Sequence, residues 1–409
     1  MRVALATREF PPEVYGGAGV HVEYLARELA ALDGVDVAVH AFGEPRPSPL
    51  VARTYQPWGE LASGTPESGA LETMSVDLAI AAHLAGADVV HTHTWYANLA
   101  GHLGHLIHGI PHVATSHSLE PLRPWKAEQL GGGYRVSSWC EQVSLEAADA
   151  IIAVSKGMRA DILRVYPAVA PERVHVIHNG IDPDEYRRVD GTDVLSRFGV
   201  DPDGPYAMFV GRITRQKGVI HLLDAARHID RSAQLVLCAG APDTPEIAEE
   251  MRAAADRARA DGVRLVWIEE MLPRADVVEL LSHATVFVCP SIYEPFGLIN
   301  LEAMACETAV VATAVGGIVE VVVDGETGFL VPFEAADDAF GSPRDPMRLA
   351  RDLADKVNVL LADPSLAARL GAAGRRRVVE QFSWRAIAAR TADLYRSLLP
   401  GGDVPGSTR

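Results

Sequence analysis

Short apolar runs alternate with longer amphipathic stretches along almost the whole chain. "RVALATREF" reads as a buried strand, and in "GGAGVHVEYLARELAAL" the residues Val22, Leu25, Leu29 and Leu32 recur at helical spacing. "VDVAVHAF" is a second strand. "GEPRPSPL" and "ASGTPESG" then punctuate a stretch expected to be irregular up to about Gly69. Further on come the strand "ADVVHTH", a helix through Leu106, the strand "PHVATSH", a long helical region, the strand "ADAIIAVS", another helix and the strand "RVHVIHNG". The pattern restarts at "PYAMFVGRIT" and continues through "AQLVLCAG", "RLVWIEE", "ATVFVCPS", "TAVVAT" and "GFLVP", with helices between. Strands this apolar on both faces, separated by helices, predict parallel sheets covered on both sides.

The repeat of the pattern predicts an α/β protein of two Rossmann-like, doubly wound domains joined near residues 180–200, with "GIDPDEYRRVDGTD" as the linker. The length of 409 residues agrees, because single cores stop growing at about 250–300 residues. Such sheets bind ligands outside the carboxyl ends of their strands, so a cleft facing both sets of strand ends is expected.

Charge and composition narrow the partners. A formal net charge of −17 argues against nucleic acid and anionic membranes. It leaves room for an anionic small molecule in a local basic pocket. Lysine occurs only at Lys126, Lys156, Lys217 and Lys356, which makes each position more informative. The four cysteines, Cys140, Cys238, Cys289 and Cys306, follow no metal or disulfide spacing and are expected as core thiols. The apolar stretch after Arg2 is too short for a signal peptide or membrane span, so a cytoplasmic location is expected.

Chemistry concentrates in a few stretches. In "CPSIYEPFGLINLEAMA" a strand ends near Pro290, and Leu298, Leu301 and Ala305 give the next helix its buried stripe. Glu294 falls on the loop and Glu302 in the helix's first turns. The N–H groups of Phe296, Gly297 and Leu298 open that helix, where phosphates and hydroxyls find donors. A carboxylate takes paired bonds from vicinal hydroxyls, so Glu294 suits a sugar and Glu302 a ribose diol; the bland alternative is a helix-capping acid and a solvated one. In "FVGRITRQKGV", Arg212 and Lys217 flank the loop after a strand, a pair suited to a diphosphate rather than merely solvated.

The first strand-to-helix loop carries Gly16, Gly17 and Gly19 but no G-x-G-x-x-G, so a dinucleotide fingerprint is missing. His91 and His93 share a strand face without the carboxylate or cysteine that would complete a metal shell, and no metal is expected. His102, His105 and His108 read as the polar side of a surface helix. His117 ends an apolar strand where ligands should sit. "DPDE" mimics a D-x-D metal motif, but Asp182 reads better as a helix cap.

Together these stretches resemble the GT-B glycosyltransferases, in particular retaining family 4. The E-x7-E motif from Glu294 to Glu302, "GRITRQKG", "NGID", "GGAG" and the closing "FSW" stand in the family's order over essentially the whole chain. "EVYGGAGVHV", "HTHTWY" and "SHSLEPLRPWKAEQLGGGY" are similar to the bacterial glycogen synthase and maltose-1-phosphate synthase group. The resemblance implies ADP-glucose as donor, glucose 1-phosphate or a glycogen-type α-glucan as acceptor, an α-1,4 bond, and neither cofactor nor metal. It implies an acceptor-binding domain over 1–185 with a crossover helix at 384–400, a nucleotide-sugar domain over 186–383, a flexible tail at 401–409 and, as in many relatives, a homodimer.

Carried over residue by residue, Arg212 and Lys217 neutralise the diphosphate, and Gly16 and Gly17 approach it. Glu294 holds the transferred glucose with the Phe296–Leu298 N–H groups, Glu302 holds the ribose, and His117 contacts the sugar. Glu9, Trp95, Ser118, Arg123, Lys126 and Arg135 are the implied acceptor contacts; for the cations a plain helix surface is equally open. Retention without an obvious nucleophile implies attack on the same face as departure. The chain departs from the glycogen synthase K-x-G-G, having Val14-Tyr15-Gly16-Gly17, and so stands outside that family. Two alternatives stand beside this reading: a family 4 enzyme with a UDP- or GDP-sugar donor and another phosphorylated or lipid-linked acceptor, and a non-catalytic sugar-nucleotide binder.

Overall fold

The computed structural model describes residues 1–400 apart from Tyr15, Pro66, Ala241 and Ala339, and apart from the side chains of Glu128 and Gln129. The expected tail, 401–409, lies outside the described residues. The chain divides into two compact units: Met1–Gly180 with the segment from Trp384 onward, and Ile181–Ser383.

The first unit carries strands β1 (Arg2–Thr7), β2 (Asp36–Phe42), β3 (Val51–Tyr55), β4 (Val89–His93), β5 (His112–Ser116), β6 (Ala150–Ala153) and β7 (Val174–Val176). Its helices are α1 (Gly17–Ala30), α2 (Ser68–Ala81), α3 (Trp95–His108), α4 (Lys126–Leu130), α5 (Gly133–Ala147) and α6 (Lys156–Val165). All strand pairs are parallel, in the order β3-β2-β1-β4-β5-β6-β7. The direction of winding therefore reverses between β1 and β4, which is where such sheets open a crevice at their carboxyl ends. Every residue of β4, β5 and β6 is buried, which is why these strands read as continuous apolar runs. β3 corrects the sequence reading, which had left this stretch irregular. It is the sheet edge, and within "VARTY" only Tyr55 is buried, so no core pattern marks it. The C-terminal helix, Trp384–Leu398, packs on α1, with Trp384 stacked on Tyr24 at 5.6 Å and Tyr395 buried.

The second unit carries β8 (Tyr206–Arg212), β9 (Gln234–Gly240), β10 (Arg264–Ile268), β11 (Val286–Cys289), β12 (Ala309–Thr313) and β13 (Gly328–Val331). Its helices are α7 (Asp193–Phe198), α8 (Val219–Ala226), α9 (Pro245–Ala260), α10 (Arg274–His283), α11 (Leu298–Ala305), α12 (Ile318–Val321), α13 (Pro346–Ala362) and α14 (Pro364–Gln381). The strands are again all parallel, in the order β10-β9-β8-β11-β12-β13, so this switch point lies between β8 and β11. Phe209, Leu222, Leu237, Val288 and Leu353 are fully or almost fully buried at the centre of this unit's core.

The stretch expected as a linker is structured and belongs to the second unit. Arg375 of α14 donates to the carbonyls of Pro183, Tyr186 and Ala305, which staples that stretch to the end of α11. Asp182 caps a turn rather than a helix, accepting from the N–H groups of Asp184 and Glu185. All four cysteines are buried and free, as expected. Among the described residues no helix is long and apolar enough to cross a membrane.

Candidate active site

In the second unit the side chains expected to bind the donor stand at the carboxyl ends of β8 and β11, the two strands flanking the switch point. Arg212 is the last residue of β8, and Lys217 lies on the loop before α8. Glu294 lies on the loop after β11, just ahead of Gly297, which caps α11 at φ +97°. Glycines let this loop sit so tightly. A Cβ on Gly316, itself at φ +50°, would come within 2.0 Å of the Glu294 carbonyl oxygen, and one on Gly218 within 2.1 Å of the Pro290 carbonyl oxygen. The Gly317 N–H donates to the Glu294 carbonyl at 2.9 Å and fixes the same loop from behind.

The cations here are already engaged by acids of the chain. Lys217 Nζ donates to Glu294 Oε2 at 2.7 Å, and Glu294 is buried. Burial works against the Lys217 charge, but Glu294 and Cys289 outweigh it, so its pKa stands above the ordinary lysine value. Arg212 Nη1 donates to Asp243 Oδ1 at 3.2 Å, and the Asp243 side chain is almost entirely enclosed. Glu302 is half-buried on α11. Desolvation pushes its carboxyl up to about 7, although Arg274, a hydrogen bond donated by Tyr186 and the charge of Lys217 all oppose the rise. Phe296 is buried, while Gly297 and Leu298 open α11, whose first N–H groups have no partner within the helix.

In the first unit, Gly16 caps α1 and Gly17 is its first residue. Glu9, expected among acceptor contacts, instead lies over this turn: its Oε2 accepts the Gly16 N–H at 2.8 Å, and a Cβ on Gly19 would come within 2.8 Å of it. The chain's own carboxylate thus sits at a helix N-terminus, a ready seat for an anion. His117 is half-buried beside two imidazoles the sequence reading had not joined to it. His93 Nδ1 and His117 Nε2 are 3.1 Å apart, and the His21 ring stands edge-on to His117 at 4.7 Å. His21 donates from Nδ1 to the Asn179 side-chain oxygen at 2.7 Å. Desolvation holds all three below the usual histidine range, His21 at about 4, so the cluster is neutral at pH 7. His91 shares its strand face with His93 but turns to Tyr395 and Thr115. Among the described residues, His21, His93 and His117 are the group whose ligand atoms, all within 4.8 Å of one another, could hold a metal ion.

The expected acceptor contacts scatter. Trp95 is in the core beside Ala70, Leu99 and Cys140, and it is the neighbouring Tyr96 that is partly open, with the Arg8 guanidinium 4.2 Å above its ring. Arg123 is mostly enclosed and donates to Ser118 Oγ at 3.0 Å. Lys126 is half-buried at the start of α4, and Arg135 is exposed on α5. Asp243, Tyr186, His21 and Asn179 were not singled out from the sequence; each acts through a partner far along the chain, a relation that no local spacing displays.

Comparison with known proteins places this geometry in a family. The model for Glycosyltransferase Family 4 matches residues 15–185, and that for Glycosyl transferases group 1 matches residues 195–342. The chain is 55% identical over 401 residues, 97% of its length and 100% of the relative's, to the alpha-maltose-1-phosphate synthase of Mycolicibacterium smegmatis. It is 33% identical to the D-inositol 3-phosphate glycosyltransferase of Xylanimonas cellulosilytica, over 75% of this chain and 71% of that one. Among solved structures, the sucrose-phosphate synthase of Thermosynechococcus elongatus aligns with a TM-score of 0.79 at 29% identity, covering 97% of this chain and 98% of the other. With these matches over two parallel-sheet α/β units, the chain belongs to glycosyltransferase family 4 and is a hexosyltransferase of the GT-B fold.

Proposed function

We propose that the chain transfers glucose from ADP-glucose to glucose 1-phosphate with retention, giving maltose 1-phosphate and ADP, with a glycogen-type α-glucan as a secondary acceptor. The observation that carries this reading is the 55% identity, end to end, with alpha-maltose-1-phosphate synthase. The arrangement of Arg212, Lys217, Glu294 and Glu302 around the β8–β11 switch point supports the donor half of it.

In this reading the Arg212 fork and Lys217 take the donor diphosphate. Glu294 accepts from the hydroxyls of the transferred glucose, and Glu302 from the ribose diol. As the bond from C1 to the phosphate oxygen breaks, its electron pair goes to that oxygen, and Arg212 and Lys217 stabilise the growing negative charge. The acceptor's O4 attacks C1 from the departing side, and its proton passes to the same phosphate oxygen. His117, contacting the sugar as a neutral ring, adds no positive charge beside the cationic centre at C1. Arg212, Lys217 and the first turn of α11 supply the charge stabilisation, so no metal enters the step. A phosphorylated small-molecule acceptor also fits the second relative, which is named for D-inositol 3-phosphate.

Product analysis with ADP-[14C]glucose, offering glucose 1-phosphate and glycogen in parallel, tests the reading. A labelled disaccharide phosphate supports it. Label in glycogen alone would make the chain a glucan-elongating enzyme. Intact ADP-glucose with both acceptors would overturn the donor assignment and favour a UDP- or GDP-sugar.

A further inference from the structure

Residues 117–135 of the first unit carry Ser118, Arg123 and Lys126, and this stretch rests on two buried acids that the proposed reaction leaves unused. Glu120 is 1% exposed and Glu141, on the inner side of α5, is 3% exposed. Glu141 Oε1 accepts the backbone N–H of Glu120 at 2.8 Å and the Tyr166 hydroxyl at 2.5 Å. Glu120 Oε2 accepts the Ser137 hydroxyl at 2.8 Å, and its carbonyl oxygen accepts the Tyr134 hydroxyl at 2.6 Å. Arg123 Nη1 stands 3.6 Å from Glu120 Oε1 and donates to Ser118 Oγ at 3.0 Å. Arg123 Nε is buried and has no hydrogen-bond partner among the described residues.

The charges decide what this network does. Two ionised carboxylates facing one guanidinium would leave an uncompensated negative charge out of water, which costs several kcal/mol on the scale of buried ions. Keeping one proton on the pair removes that cost. Glu141 is the member that keeps it, because Glu120 has the arginine. Burial, and then the charge of Glu120, push the Glu141 carboxyl up to about 8, against the hydrogen bond from Tyr166. Tyr166, displaced further upward by burial and Glu141, stays a donor throughout. The groups facing Glu141 are thus Glu120 and Arg123 from the loop, Tyr134 and Ser137 from α5 itself, and Tyr166 from the end of α6. Asp77 of α2 acts on Cys140, one residue along α5.

We propose that Glu141 is a positioning residue for the acceptor: as a neutral carboxylic acid it leaves Glu120 the sole anion beside Arg123, so that the guanidinium is anchored through Nη1 and offers its remaining N–H groups to the acceptor's phosphate. The inference rests on the reading that the acceptor is phosphorylated. When Glu141 ionises, the pair carries two negative charges, the two carboxylates repel each other, and Arg123 is drawn back onto the acids.

The test is the pH dependence of the two Michaelis constants with ADP-glucose and glucose 1-phosphate. Glucose 1-phosphate is already a dianion above pH 7, so its own titration does not intervene. In the unmodified chain the acceptor KM rises about tenfold between pH 7.5 and 9, as expected for a group ionising near 8, while the donor KM stays level. In Glu141→Gln the acceptor KM no longer varies over that range. Tyr166→Phe, which removes a bond to the ionised form, moves the midpoint to higher pH and serves should the first variant fold poorly. A purely structural network would change thermal stability or kcat and leave the pH dependence in place. An acceptor KM flat with pH in the unmodified chain, or a rise retained in Glu141→Gln, overturns the positioning role. Absence of maltose 1-phosphate from the unmodified chain overturns the acceptor reading beneath it.

Discussion

Replacing Glu294 by glutamine separates the two roles that the Lys217–Glu294 pair combines. The substitution keeps the size of the side chain and an oxygen for Lys217, and removes only the charge. At 2.7 Å and an effective dielectric near 20, the gross attraction is about 6 kcal/mol. Desolvation of both groups takes back much of this, and breaking buried pairs costs about 3–5 kcal/mol. The Lys217 side chain is 23% exposed, so water relieves part of its lost partner and about 2–3 kcal/mol is the expected loss. For a unit of this size that lowers Tm by roughly 5–10 °C, which differential scanning fluorimetry reads directly. Catalysis should suffer more than stability. If Glu294 holds the sugar through bonds that tighten as charge develops at C1, kcat falls about 10²–10³-fold, the scale set by single preorganised electrostatic contacts. The donor KM should stay level or fall, because Lys217, released from a carboxylate, meets the diphosphate more readily. Initial rates of ADP release at varied ADP-glucose measure both constants. A variant with unchanged kcat and a raised donor KM would refute the assignment, since Glu294 would then act only in holding the ground-state donor.

Other outcomes follow from neighbouring features. Glu302 is ionised above about 7, and a ribose diol needs the ionised acceptor, so the donor KM should climb as pH falls below 7, towards tenfold per unit, and Glu302→Gln should flatten that limb in rate measurements. Because the folded carboxyl is displaced upward from 4.5, this group favours the folded state below that value and loses the contribution as pH rises through 7, which thermal melts across that window detect. Gly316→Ala puts a methyl within 2.0 Å of the Glu294 carbonyl at a positive φ; it should cost about 2–4 kcal/mol by denaturant unfolding and depress kcat with the helix content unchanged.

The two sheets were legible because their central strands are buried on both faces and therefore unbroken apolar runs, as "VFVC" and "AVVAT" show. The E-x7-E segment was legible for the opposite reason, since two acids in such a run demand partners. Lys217 answered for Glu294, and the sequence had marked it by scarcity. The partner of Arg212 was not legible: Asp243 lies 31 residues on, at the mouth of another strand, and parallel crossovers bring such residues together without any fixed spacing. Tyr186 was hidden because its stretch carries no periodicity and read as linker, whereas Arg375 holds its backbone by a contact spanning 189 residues. Trp95 misled in the other direction. The family resemblance implied it as an acceptor contact, but the first turn of α3 points it into the core and leaves the neighbouring Tyr96 partly open.

The acids that occupy the cationic seats also change what binding a nucleotide sugar means. Asp243 on Arg212 and Glu294 on Lys217 are tethered competitors, present at an effective concentration no free anion in solution matches. Seating a diphosphate is then an exchange of one anion for another rather than the filling of a bare positive hole. Such an exchange discriminates. A monovalent anion such as chloride cannot displace a tethered carboxylate, whereas a diphosphate offering several oxygens to both cations at once can. The same internal neutrality lets a chain of net charge −17 keep a seat for a doubly charged ligand without spending long-range attraction to fill it.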